Sequence, residues 1–212
     1  MKRFFRDNGL TITLLSLFLL SLLGMAFTGE AVSSQEAARH GRDGPPLLHY
    51  VASGEFLSAL FENWESEFLQ MSAYVVLTAK LFQRGSSESR DPDAPGREGD
   101  QLPPKFARRH WFVRWLYARS LALVLFLFFA LSFLAHWLSS AKAAATEALL
   151  HGEAPPGALE FLADAQFWFE SFQNWQSEFL ATAALVVLSI FLRFQGSPES
   201  KPVSASNEDT GG

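Results

Sequence analysis

Leu121–Leu138, LALVLFLFFALSFLAHWL, decides the fold class. It runs for eighteen residues without Asp, Glu, Lys or Arg and is broken only by His136 near its end. At ~1.5 Å per residue such a helix is roughly 27 Å long, close to the thickness of a bilayer core. Leu10–Phe27, LTITLLSLFLLSLLGMAF, is a second run of the same length and kind. These two segments predict membrane-spanning helices.

Two shorter apolar runs follow them, Phe68–Phe82 and Phe179–Phe194. Each is marginal alone, but a helical pattern begins upstream of both. Ser53-Gly54 precede a pattern opening at Phe56, and Asp164 precedes one opening at Phe167. Ser and Asp favour helix starts because their side-chain oxygens accept an orphan backbone N–H. Gly85 and Gly196 stand where a helix would stop. Each helix is then about 28 residues, or roughly 42 Å, enough to cross a bilayer. The expectation is an all-α polytopic membrane protein with four spans, near 10–28, 63–83, 121–138 and 175–194. A cleaved signal peptide is the rival reading of the N-terminus, with Lys2, Arg3 and Arg6 as its basic region and Gly24-Met25-Ala26 as its cleavage site.

An internal repeat argues against cleavage. Shifted by 111 residues, the chain lies on itself without a gap: Asn63-Trp64-Glu65-Ser66-Glu67-Phe68-Leu69 meets Asn174-Trp175-Gln176-Ser177-Glu178-Phe179-Leu180. From Asn63 to Arg90, 15 of 28 positions are identical. Leu10 meets Leu121, so the first span pairs with a mid-chain span that cannot be a signal peptide. The repeat divides the chain into a two-helix unit over 1–84, a linker over 85–107 and a second two-helix unit over 108–195. The linker (GSSESRDPDAPGREGDQLPPKFA) and the 196–212 tail are rich in Gly, Pro, Ser and mixed charge. That composition reads as a flexible linker and a disordered tail.

Charge placement orients the spans. The N-terminus, the linker side (Gln83–Ser120) and the tail carry 13 Lys and Arg, whereas the two intervening loops carry 3. The positive-inside rule puts both termini and the linker in the cytoplasm. Lys80, inside the second span, lies close enough to that side to snorkel. Trp111 and Trp115, beside Arg108, Arg109 and Arg114, form an interfacial belt there. Each copy has an even number of spans, so the copies face the same way, related by an axis along the membrane normal and forming parallel hairpins.

Candidate sites are few. At about 100° per residue, Asn63, Ser66 and Glu67 share a helix face, as do Asn174, Ser177 and Glu178. Counting back about 20 residues from the inner ends of the spans sets Glu67 and Glu178 about one turn inside the outer boundary. Ionisable residues at such depth face a bundle interior or water, and the repeat axis would bring the two carboxylates together as a proton or cation site. The plainer alternative leaves both at headgroup level.

A metal site is the weaker candidate. Glu36 and His40 are spaced i, i+4 before Gly41, and Glu147 and His151 are spaced alike before Gly152. Each pair is expected to share one helix face, as ligands to a metal would. One imidazole and one carboxylate per copy is thin for a metal, and a capped helix end explains the spacing as well.

The chain has 49% hydrophobic and 18% charged residues, 21 Phe and a formal net charge of −5. Nothing here resembles a nucleic-acid surface. The lack of cysteine excludes disulfides, thiolate metal sites and a cysteine nucleophile. No phosphate loop or nucleophile elbow appears, so neither an enzyme nor a cofactor is expected. The expected associations are the lipid bilayer and a homodimer or membrane-protein partner.

The blocks NWESEFLQMSAYVVL and NWQSEFLATAALVVLSIFLRFQGSPESKP, with the MKRFFRDNGL start and the HG…PP segments, are similar to those of a family of small bacterial membrane proteins classed as a domain of unknown function. The first copy departs from the second block at Lys80 and at Ser87, where the block has Pro. The resemblance implies a bacterial inner-membrane location and supplies no catalytic residues. The functional expectation is a structural, accessory or partner-binding envelope protein, with a small proton or cation transporter or channel around Glu67 and Glu178 as the alternative.

Overall fold

The computed structural model describes residues 2–97 and 99–211; Met1, Gly212, Glu98 of the linker and the Lys2 side chain lie outside the described residues. Among the described residues all regular structure is helical. In chain order the helices are α1 (Lys2–Arg39), α2 (Leu47–Tyr50), α3 (Gly54–Thr78), α4 (Pro104–Ala107), α5 (Trp111–Ala118), α6 (Ser120–Leu150), α7 (Ala158–Phe161) and α8 (Ala165–Phe191).

The chain divides into two compact units, Met1–Leu60 with Ala135–Ala163 and Phe61–Leu134 with Asp164–Gly212. Each unit draws residues from both sequence repeats.

In the first unit, α1 is one long helix broken once, at Asn8 (φ −126°, ψ 15°). Its few polar residues do not interrupt it, because Thr13, Ser16 and Thr28 donate to carbonyls four residues back, at 2.7–2.9 Å. A hydroxyl bonded in this way leaves no unsatisfied group on an apolar helix. The C-terminus closes on Gly41 at φ +67°, with Arg42 N donating to Ala37 O at 2.9 Å. The end of α6 closes identically on Gly152 at φ +74°, with Glu153 N donating to Ala148 O at 2.8 Å. Both are left-handed glycine caps that satisfy an orphan carbonyl. The start of α3 has Ser53 as its cap, Oγ accepting from Phe56 N at 3.2 Å. There α3 and α6 pack through small residues. The Ser58 and Ser140 hydroxyls bond at 2.5 Å, and a Cβ on Gly54 would fall 2.6 Å from Ala143 N and 2.7 Å from Ser139 O.

In the second unit, α8 starts at Asp164, whose carboxylate accepts from Gln166 N at 2.7 Å. An aromatic block joins α6 to α8: Phe133 meets Phe167 at 5.5 Å, and Phe129 meets Trp175 at 6.4 Å. Neither α3 nor α8 runs as far as expected; they end at Thr78 and Phe191. The orphan carbonyls below are taken by turn side chains instead of further helix. Arg90 Nη2 donates to Ala79 O at 2.5 Å, and Arg193 Nη1 donates to Ile190 O at 3.1 Å.

Three helices, α1, α6 and α8, are long and apolar enough to cross a membrane. The sequence predicts a fourth at 63–83. α3 is not among the three, because Glu62, Asn63, Glu65 and Glu67 occupy its middle and it stops before Lys80. The apolar side chains of the three point mainly outward: none of the most apolar stretch of α1 is buried, and 17% and 6% of those of α6 and α8 are.

Candidate functional site

The second unit gathers most of the paired polar side chains, at two levels. The first is a seam between α3 and α8. Asn174 Nδ2 donates to the Glu62 carboxylate. Trp175 Nε1 donates to Glu65 Oε1 at 3.2 Å, and Gln70 Nε2 donates to Thr182 Oγ1 at 2.6 Å. Glu65 is completely buried and Ser66 nearly so. On α3 these side chains recur at i, i+3, i+4 and i+8, one face of a helix. Trp175 carries the seam into the aromatic block, where it also meets Phe172 at 5.4 Å.

The residues expected at this level are redistributed. Asn174 joins the seam, bonding Glu62. Ser66 turns inward and donates to Asn63 O at 2.8 Å, and Ser177 donates to Asn174 O at 2.8 Å from an exposed position. Asn63 and Glu67 are exposed and Glu178 is half-buried. Glu62, Glu65, Gln70 and Thr182 are not among the expected residues. Their repeat equivalents are Gln173, Gln176, Ala181 and Met71, so a search for identities between the copies passes over them. The helical spacing of Glu62, Glu65, Ser66 and Gln70 is the signal that would have found them.

The second level is a pair of turns below α3 and α8. Gly85 and Gly196 both sit at φ +84°. Ser89 Oγ accepts from Gln83 N at 2.8 Å and Ser200 Oγ from Phe194 N at 2.9 Å. Ser86 Oγ accepts from Glu88 N at 3.1 Å and Ser197 Oγ from Glu199 N at 3.2 Å. Arg90 donates to Pro95 O at 2.8 Å, and Lys201 to the equivalent Ser206 O at 2.9 Å. The two sequences G-S-x-E-S-R/K thus fold into one turn made twice.

The turns also meet. The Ser86 and Ser189 hydroxyls bond at 2.9 Å, and Ser87 Oγ donates to Glu199 O at 3.1 Å. The tail crosses to the first turn, with Gly85 N donating to Thr210 Oγ1 at 2.8 Å and Gly211 N to Ser86 O at 2.9 Å. Here the repeat-equivalent carboxyls Glu88 and Glu199 come within hydrogen-bonding reach, and Glu88 lines an open cleft of about 1270 Å³. Burial pushes Glu88 above the usual carboxylate range, and the charge of Glu199 adds to it. Hydrogen bonds from Tyr74 Oη (3.1 Å) and Ser87 oppose the rise. Lys201, 1% exposed, has its ammonium held by the carbonyls of Ser206, Asn207 and Asp209 at 2.9–3.2 Å. Burial and the neighbouring Arg193 lower its pKa.

The weaker metal candidates stand at the ends of α1 and α6. α1 ends at Arg39, and His40 follows it in the closing turn. His40 lies exposed in the closing turn, where its backbone N–H donates to Ala37 O at 3.0 Å. Its Nδ1 is 3.0 Å from the Glu36 backbone oxygen and 3.6 Å from the Glu36 carboxylate, which Arg39 also bridges at 2.9 Å. His40 thus faces Glu36 across the last turn of the helix end. At the end of α6, His151 N donates to Glu147 O at 3.1 Å, and both residues are exposed. Among the described residues, none of Glu36, His40, Glu147 and His151 joins a group of three metal-type ligands.

No curated protein and no solved structure matches the chain. The sequence model of a family described as a domain of unknown function (DUF6766) matches residues 1–212, and the chain belongs to that family.

Proposed function

We propose that this is a multi-pass protein of the bacterial inner membrane that acts as a structural or accessory component of the envelope, through lipid and partner helices and without enzymatic chemistry or a cofactor. Four helices, α1, α3, α6 and α8, cross as two like-facing hairpins, and both termini and the linker are cytoplasmic. The observation that carries this reading is the outward exposure of the apolar stretches of α1, α6 and α8, which need lipid or other helices against them. The duplicated cap at Gly41 and Gly152 and the duplicated turn at Gly85 and Gly196 support the hairpin repeat. With α3 as the fourth span, its polar face is matched by α8 instead of being left to lipid, as buried polar groups between spans require.

A second reading is a small proton or cation transporter. Its support is the buried carboxylate of Glu65 on α3, which accepts from Trp175 of α8, since ionisable groups among spanning helices commonly mark ion paths. Purified protein in liposomes separates the two. The accessory role predicts no proton or monovalent-cation flux above that of empty vesicles. Flux that Glu65→Gln or Glu178→Gln abolishes would replace the first reading with the second.

A further inference from the structure

Between Gln101 and Ser120 the chain carries Lys105, Arg108, Arg109, Arg114 and Arg119 and not one acidic residue. The segment is built, not loose. Phe106 of α4 stacks on Tyr117 of α5 with ring centroids 3.9 Å apart. Arg119 lies over the Trp115 ring at 5.3 Å, and Lys105 over Phe106 at 5.2 Å. His110 caps α5, its Nδ1 accepting from Phe112 N at 3.3 Å. Yet every residue of α5 is exposed, including Trp111 at 67% and Phe112 at 50%.

The backbone separates α5 from the long helix it precedes. Arg119 is non-helical (φ −123°, ψ 10°), and α6 starts at Ser120. The same break occurs 111 residues earlier in α1, at Asn8 (φ −126°, ψ 15°). A short aromatic helix that turns away from an apolar helix at its start sits where headgroups meet acyl chains. The two breaks differ in charge. Before Asn8, Asp7 pairs with Arg6 at 2.9 Å and with Arg3 at 3.5 Å. At the equivalent of Asp7 stands Ala118, so the cations around α5 have no carboxylate among them in sequence.

We propose that the α4–α5 hairpin is a binding surface for anionic phospholipid headgroups. Its aromatic side chains enter the acyl boundary, and Lys105, Arg108, Arg109 and Arg114 hold the phosphates. Aromatic rings supply depth, guanidinium forks bind phosphate oxygens in pairs, and the absence of acids selects anionic over zwitterionic lipid.

The proposal rests on the membrane reading above, and the test distinguishes failure of the two. The full chain is placed in nanodiscs of phosphatidylglycerol and phosphatidylcholine, with one or the other lipid brominated, and tryptophan quenching is measured. The signal lost in the Trp111→Phe/Trp115→Phe double variant isolates α5. Quenching of that signal by brominated phosphatidylglycerol should exceed that by brominated phosphatidylcholine by about twofold or more, and the excess should vanish in Arg108→Gln/Arg109→Gln/Arg114→Gln. Equal quenching by both lipids in the wild type overturns headgroup recognition. No quenching of Trp111 and Trp115 by either lipid, while the remaining tryptophans are quenched, overturns the surface itself and leaves it to a soluble partner. If no tryptophan is quenched, the membrane reading fails first.

Discussion

Glu88 and Glu199 are the same residue of the repeat, and the fold sets their carboxyls against each other beside the Tyr74 hydroxyl. Across the same cleft Arg90 is committed to backbone carbonyls and Lys201 to the tail. Asp91, Arg97 and Asp100 line its rim. Burial first, and the like charge second, make Glu88 hold its proton more tightly in the folded protein than in an unfolded chain. Ionisation therefore costs folding free energy. The pairing of the turns is strongest below the ordinary carboxyl value of 4.5 and weakens as pH rises from there through the raised folded value. Glu199→Gln removes the repulsion, so the decline of melting temperature with rising pH should be shallower in the variant. Equal slopes in wild type and variant would show that the pair does not titrate together.

The carboxyl pairing was foreseeable in kind but not in place. The repeat implies that equivalent residues can face one another, and the sequence drew attention to Glu67 and Glu178. Glu88 and Glu199 sit in segments whose composition suggests a flexible linker and tail. Composition reports a shortage of apolar side chains, whereas these turns are held by hydroxyls and cations on backbone groups, which composition does not register.

Among the helices, starts and glycine stops were the legible features. Ser53, Asp164, Gly41 and Gly152 act within one turn of backbone, so local sequence is enough to place them. The ends of α3 and α8 were not legible, because Arg90 and Arg193 replace helical hydrogen bonds with side-chain ones. The contact of α3 with α6 at Gly54 and Ser58 was also hidden. It joins residues more than 80 positions apart, and nothing local to Gly54 marks a close approach. A Cβ at Gly54 would strike the backbone of Ser139 and Ala143, which cannot move aside as a side chain could. Gly54→Ala should therefore lower stability by about 1–3 kcal/mol, read as an earlier thermal transition in detergent. Gly24→Ala, in open space on α1, is the control and should be neutral or stabilising, by up to ~1 kcal/mol. A Gly54→Ala protein as stable as wild type would mean that the two helices can separate without loss.

At the scale of the whole molecule, the like-facing hairpins predict the side of the membrane each loop occupies. The chain has no cysteine, so each introduced one is a unique reporter. Pro95→Cys and Ser204→Cys should react with an impermeant maleimide only after the membrane is opened, and Asp43→Cys and Glu153→Cys should react in intact cells. Labelling of position 95 from outside would invert or dismantle the proposed topology.

Taken alone, the sequence determined the helical class, the long apolar helices and the caps, and it matches itself at a shift of 111. Hydropathy and capping act over a few residues, and identity between copies is visible without coordinates. The tertiary structure decided that each compact unit takes parts of both repeats and that α3 meets α8 through Glu62, Glu65 and Gln70. It also decided that Glu88 meets Glu199. Those contacts join side chains about 110 positions apart, several of them different in the two copies. Which of them meet depends on how the helices are rotated against one another, and no local rule encodes that.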